Sequence, residues 1–119
     1  MKKLSLYLLL FTIILSHGQE NKPNSFTVNA STFVSAIDND EYELVEHYLK
    51  NRLIPVNMFY EGKTFIIHAC IKNKPEMIRL LVRHGADITL RCEEGFLPEE
   101  HAKKNDSIHA LAEIIVIKA

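Results

Sequence analysis

The chain has no catalytic signature anywhere along its 119 residues. It lacks a nucleophile elbow, a glycine-rich phosphate loop, a His-Glu-x-x-His pair and a Cys-x-x-Cys pair, so hydrolase, nucleotide-binding and dithiol chemistry have no foothold of known spacing. No metal and no cofactor is expected. Charge of one sign is also scarce: 14 basic residues stand against 15 acidic ones, a formal net charge of −1. That balance gives no reason to expect nucleic acid or an anionic membrane surface as a partner. Long apolar runs are missing too. The most apolar stretch, residues 4–15, is interrupted by Ser5 and Thr12, and it falls short of the ~20 residues a spanning helix needs.

What that stretch does have is the layout of a cleaved secretory signal. Lys2 and Lys3 precede it, and Ser16 and Gly18 place small residues three and one before a cut ahead of Gln19. No cysteine lies near the cut, which argues against a lipid-anchored mature end. The short basic start resembles bacterial export signals, implying a periplasmic or secreted protein. Loss of residues 1–18 would move the net charge to about −3, because Lys2 and Lys3 go with them. Residues 19–28 are polar apart from Phe26 and Val28 and are expected to lead flexibly into the fold.

Only two cysteines are present. In an oxidising compartment they could pair. Cys70, however, falls on an apolar helix face and Cys92 in a loop, so two free thiols is the preferred reading.

The body of the chain repeats itself. Gly62 recurs as Gly95, His68 as His101 and Ala69 as Ala102, each at a spacing of 33 residues. Self-similarity at such a period signals a stack of small units rather than one closed core. The middle unit reads clearly. Thr64 can cap a helix whose buried face is Phe65, Ile66, Ala69 and Cys70. Asn73 and Lys74 break that helix, and Pro75 suits the first turn of the next. Met77, Ile78, Leu80, Leu81 and Val82 make the second helix apolar, Arg79 and Arg83 mark its wet face, and Gly85 ends it. The following unit keeps Gly95, Pro98 and Ala102, with Ile108, Leu111, Ile114 and Ile115 on its second helix. In the preceding unit Ser31, Phe33 and Ala36 match Thr64, Ile66 and Ala69. There Arg52 stands where a glycine should end the second helix, so the left-handed turn is expected at Asn51 instead.

These residues carry a family resemblance. The run from Gly62 to Cys70, followed by Leu80-Leu81 and Gly85-Ala86-Asp87-Ile88, resembles an ankyrin repeat. The departures are Phe65 in place of proline and Ile67 in place of the histidine that ties neighbouring loops in that family. The resemblance covers roughly residues 27–117 and implies an all-α solenoid of about three stacked helix–turn–helix repeats, approximately 29–61, 62–94 and 95–117, forming one domain over residues 29–119.

The resemblance also implies the function: a non-catalytic module that binds a protein partner through its loop fingers and the exposed side of its first helices. Mapped onto this chain, those positions are Tyr60, Glu61, Lys63, Ile71, Lys72, Arg91, Glu93, Glu94, Phe96 and Lys104. Tyr60 and Phe96 are expected to be the aromatic anchors. Two roles fit such a module: neutralising a toxin or enzyme, as a periplasmic immunity or inhibitor protein, or supporting an envelope protein. A remote alternative is a small metal-dependent hydrolase using His68, His101 and the paired glutamates at 93–94 and 99–100. Finally, residues 114–117 are four apolar residues in a row. Either the last helix packs against its own neighbours and frays at its end, or the tail is a contact surface, for example in a homodimer.

Overall fold

A computed structural model describes residues 25–119. The expected signal at 1–18, its cut ahead of Gln19 and leader residues 19–24 lie outside the described residues. Ser25 is already helical, so the last four residues of the expected leader belong to a helix.

Among the described residues six helices follow one another in pairs: α1 (Ser25–Asp38) with α2 (Tyr42–Lys50), α3 (Phe65–Ile71) with α4 (Pro75–Arg83), and α5 (Pro98–Lys104) with α6 (Ile108–Lys118). The odd-numbered helices stack as one layer, α1 on α3 on α5. The even-numbered ones stack as a second, α2 on α4 on α6. No pair closes a core alone, and burial comes from stacking, as in other repeat arrays.

The same local chemistry recurs at each 33-residue step. Asp40, Asn73 and Asp106 all take left-handed backbone, with φ of 58°, 57° and 52°. Behind each, the next amide reaches back to close the preceding helix: Glu41 N–H to Ala36 C=O, Lys74 to Ala69 and Ser107 to Ala102, each at 2.9 Å. This double closure satisfies carbonyls that a helix end otherwise leaves unpaired. Gly85 (φ 99°) ends α4 in the same way, with Ala86 N–H on Leu81 C=O at 2.9 Å.

At the end of α2 the expected turn at Asn51 is not found. Asn51 has φ −92°, and it is Arg52 that adopts φ 53°. The closing bonds, Arg52 N–H to Leu49 C=O and Leu53 N–H to Tyr48 C=O, demand the left-handed residue at that position whatever its side chain. Asn51 instead turns its amide onto the His47 carbonyl at 2.9 Å.

The core runs through the stack. Phe33 meets Phe65 edge-on at 4.7 Å and stacks on Tyr48 at 5.7 Å. Ile37, Val45, Ile66, Ile78, Leu80 and Leu81 are buried around them. The third pair contributes less: Ala102, Ala110 and Ile114 are its members of the main cluster. Cys70 is buried in that cluster, and burial pushes its thiol up to about 12. Cys92 is buried as well, although it lies in a loop, and both thiols are free.

The last helix takes in the whole apolar run at 114–117. It continues to Lys118, with Ile114 buried, Ile117 half-buried, and Ile115 and Val116 turned outward.

Candidate functional site

Between the pairs the chain forms fingers. The first is a two-residue hairpin, β1 (Phe59–Tyr60) against β2 (Lys63–Thr64), with Phe59 opposite Thr64 and Tyr60 opposite Lys63. Its turn residues Glu61 and Gly62 have φ of 53° and 75°, the two positive values of the tight hairpin turn that matches strand twist. Thr64 then caps α3, its hydroxyl accepting from Ile67 N–H at 3.4 Å.

The second finger is a loop closed by Cys92 N–H on Phe96 C=O and Gly95 N–H on Cys92 C=O, both 2.9 Å. It is tied to the first through Glu93 N–H on Gly62 C=O at 2.9 Å. A Cβ at Gly62 would come within 2.8 Å of the Glu93 carboxylate. That carboxylate is the far end of a flexible side chain, so the positive φ rather than space makes glycine fitting there.

Strand alternation separates the two aromatics of the first finger. Tyr60, an expected anchor, is half-buried and packed against the core, its ring tilted on His68 at 6.0 Å. Its neighbour Phe59 is 44% exposed. The outward aromatic is therefore Phe59, which the sequence reading missed. The two-residue side-chain period of a hairpin strand was the signal for it.

His68 holds the finger in place, with Nε2 2.9 Å from the Tyr60 carbonyl. It supplies a loop tie one residue after the position where the family places its histidine. Ile67, at that position, is fully buried.

Phe96, the other expected anchor, is half-buried. It sits edge-on to His101 at 6.0 Å, and Lys104 Nζ lies 4.2 Å from its ring centroid. That is a cation held over an aromatic face. His101 is buried, and its Nε2 has no hydrogen-bond partner among the described residues. Burial, reinforced by Lys104 and Lys63, holds its imidazole below the usual histidine range.

Arg91 is exposed and crosses the second finger, with Nη1 donating to Gly95 C=O at 2.9 Å and lying 3.4 Å from Glu100 Oε1. Glu61, Glu93 and Glu94 are exposed on the fingers, while Lys63 is half-buried with Nζ donating to the Glu61 carbonyl at 3.5 Å.

Ile71 and Lys72 do not join this group. They lie at the C-terminal end of α3, where the Ile71 carbonyl accepts from Ser107 Oγ at 3.2 Å. The paired glutamates at 99–100 have structural work. Glu100 Oε1 accepts from Leu97 N–H at 3.1 Å at the start of α5. Glu99 pairs with Lys118 at 2.7 Å, which holds its carboxyl below the usual range. Among the described residues no group of three or more His, Cys, Asp or Glu side chains is placed to hold a metal ion.

The site is thus a charged ridge of two linked fingers with one outward aromatic, Phe59, and one cation-capped aromatic, Phe96. It has the makings of a docking surface: partly exposed rings among exposed charges, held by a tied backbone.

A family model described as ankyrin repeats, in three copies, matches residues 8–117. The match begins inside the segment read as an export signal. An ankyrin repeat protein of Rickettsia bellii (strain RML369-C) is 29% identical over 73 residues, which cover 58% of this chain and 10% of that protein. The chain therefore spans a small part of that relative's length.

Proposed function

This chain belongs to the ankyrin-repeat family, and from that premise we propose that it is a non-catalytic binding module, acting in the periplasm or outside the cell, that docks a protein partner on its two fingers. The observation that carries this reading is the pair of rings on the linked fingers, Phe59 at 44% exposure and Phe96 under Lys104. An exposed aromatic costs solubility and contributes little to a fold, whereas aromatic anchors flanked by charge dominate many interfaces. The contact residues are Phe59, Phe96 and Lys104 with Arg91, Glu61, Lys63, Glu93 and Glu94 around them. Export rests on the signal-like layout of residues 1–18. Sequencing the N-terminus of the mature protein tests it, with Gln19 expected first.

The test of binding is capture of partners from the native envelope fraction, identified by mass spectrometry, with wild type, Phe59→Ser and Phe96→Ala as baits. Phe59→Ser should lose the partner while its unfolding free energy, read by urea denaturation, stays within about 0.5 kcal/mol of wild type, as for other surface changes. Phe96→Ala should weaken capture more than it lowers the melting temperature. Retained capture by both variants would remove the fingers from the interface. Inhibition of a toxin or enzyme and support of an envelope protein would use the same ridge. Titration of a captured enzyme's activity by the purified module separates them.

A further inference from the structure

At the first joint of the array the ends of α2 and α4 border a cavity of about 650 Å³, and none of the ridge residues lines it. Leu49 and Ile54 are buried and Val56 half-buried along it, which makes an apolar wall. Its rim is basic: Lys50 at the end of α2, Arg52 just beyond, and His84 at the end of α4. Asn57 ties the two sides together, its Nδ2 donating to Gly85 C=O at 3.2 Å and its Oδ1 accepting from Asp87 N–H at 2.8 Å. The walls are therefore held by hydrogen bonds between repeats, and the cavity is formed in advance of any ligand.

No acid lines this cavity. Among the described residues Lys50, Arg52 and His84 have no ion-pair or side-chain hydrogen-bond partner. Elsewhere Lys74, Arg79, Arg91 and Lys118 each meet a carboxylate. A basic residue at a helix C-terminus is ordinary, which covers Lys50 and His84. It does not call for Arg52, which bears φ 53° where the next repeat has Gly85. Strained backbone of this kind concentrates at ligand clamps. The repeat register shows the rim to be peculiar to the first joint. One 33-residue step along, the positions of Lys50, Arg52 and His84 hold Arg83, Gly85 and Ile117. Arg83 there donates to the Tyr42 hydroxyl at 3.5 Å.

We infer that this cavity binds a small organic carboxylate with an apolar body, the head held by Arg52 and Lys50 and the hydrocarbon laid on Leu49, Ile54 and Val56. Each part of the ligand follows from the lining. A cleft of one charge sign over low-dielectric walls concentrates the opposite ion. The guanidinium of Arg52 is a planar fork that matches two carboxylate oxygens, and Lys50 adds a point charge. The His84 ring offers a further N–H donor. An uncharged apolar molecule would leave the cations without a counterion, and a bare small anion would leave the apolar wall wet. The volume lies in the ~300–1,000 Å³ range of small-molecule sites. The inference does not depend on the ridge as a docking surface, since the two share no residue.

Octanoate is the probe, set against octanol, which keeps the chain without the charge, and acetate, which keeps the charge without the chain. Titrated into the full chain and followed by amide NMR shifts, octanoate should move the resonances of residues 49–56 and 84–86 and leave those of 59–64 and 91–96 in place. Octanol and acetate should each bind at least about tenfold more weakly, as should octanoate to Arg52→Gly, from loss of a charged hydrogen bond or of the apolar contact. Arg52→Gly relaxes the backbone, so its melting temperature should hold or rise while its affinity falls, which separates lost binding from lost folding. Lys50→Gln should also weaken binding at an unchanged melting temperature, and added salt should weaken binding to wild type. The absence of octanoate-induced shifts at millimolar concentration would overturn the inference. So would octanol or acetate binding as tightly as octanoate, or full affinity in Arg52→Gly.

Discussion

Asn73 sits at the joint between the second and third repeats and performs two separable tasks. Its backbone takes φ 57° to close α3. Its side-chain Oδ1 accepts from Ala110 N–H at 2.9 Å, in the first turn of α6. Ala110 is fully buried, so water is poorly placed to replace that acceptor. Losing a helix cap of this type costs about 0.5–2 kcal/mol, and an orphaned buried donor about 1–3 kcal/mol. Left-handed backbone costs an ordinary residue roughly 1–2 kcal/mol, less for asparagine and little for glycine. Three substitutions therefore separate the tasks. Asn73→Gly keeps the turn and loses the cap, for an expected loss of about 1–2 kcal/mol. Asn73→Ala loses both, at about 2–3 kcal/mol. Asn73→Asp keeps an acceptor and should stay within about 0.5 kcal/mol of wild type. Urea denaturation followed by circular dichroism measures all three, with the midpoint read at constant slope. A glycine variant as stable as wild type would mean that the cap between repeats contributes nothing. Equal losses for glycine and alanine would mean that the turn is unstrained.

Arg52 occupies a glycine position with φ 53°, so Arg52→Gly should raise stability by up to about 1 kcal/mol, read as a higher melting temperature, the strain relieved exceeding the added freedom of the unfolded chain. The buried imidazole of His101 binds its proton less readily in the fold than in the unfolded chain. The unfolded state therefore takes up more protons below the ordinary histidine value of about 6.5. Stability is intact above that pH and declines as pH falls below it. Urea midpoints compared at neutral pH and between pH 5 and 6 should fall for wild type and fall less for His101→Leu; equal declines would assign the effect to other groups.

Much of the architecture was legible in the residues themselves. The recurrence of Gly62, His68 and Ala69 at 33 residues reports a translation along the stack, and the apolar spacing of Phe65 to Cys70 and Met77 to Leu81 defines each helix pair. Thr64, Pro75 and Gly85 mark boundaries by local chemistry alone, so the predicted cap, start and stop coincide with the structure. The exceptions were decided by geometry beyond a residue's own preference. Asn51 is intrinsically better suited to left-handed backbone than Arg52, but the closing hydrogen bonds choose the position and Arg52 bears the strain.

The binding ridge was legible only in outline. Which residues lie on fingers follows from the repeat register, but which aromatic faces water depends on the pairing of Phe59 with Thr64, a contact between strands. Likewise the apolar run at 114–117 announces itself in the sequence, while its division into buried Ile114 and exposed Ile115 and Val116 depends on how α6 is rotated against α4 and α5. Sequence by itself determined the repeat, its period and its helix boundaries, because those follow from local backbone chemistry and periodic burial. Only the tertiary structure decided which side chains remain at the surface, because exposure is a property of packed neighbours that no single repeat contains.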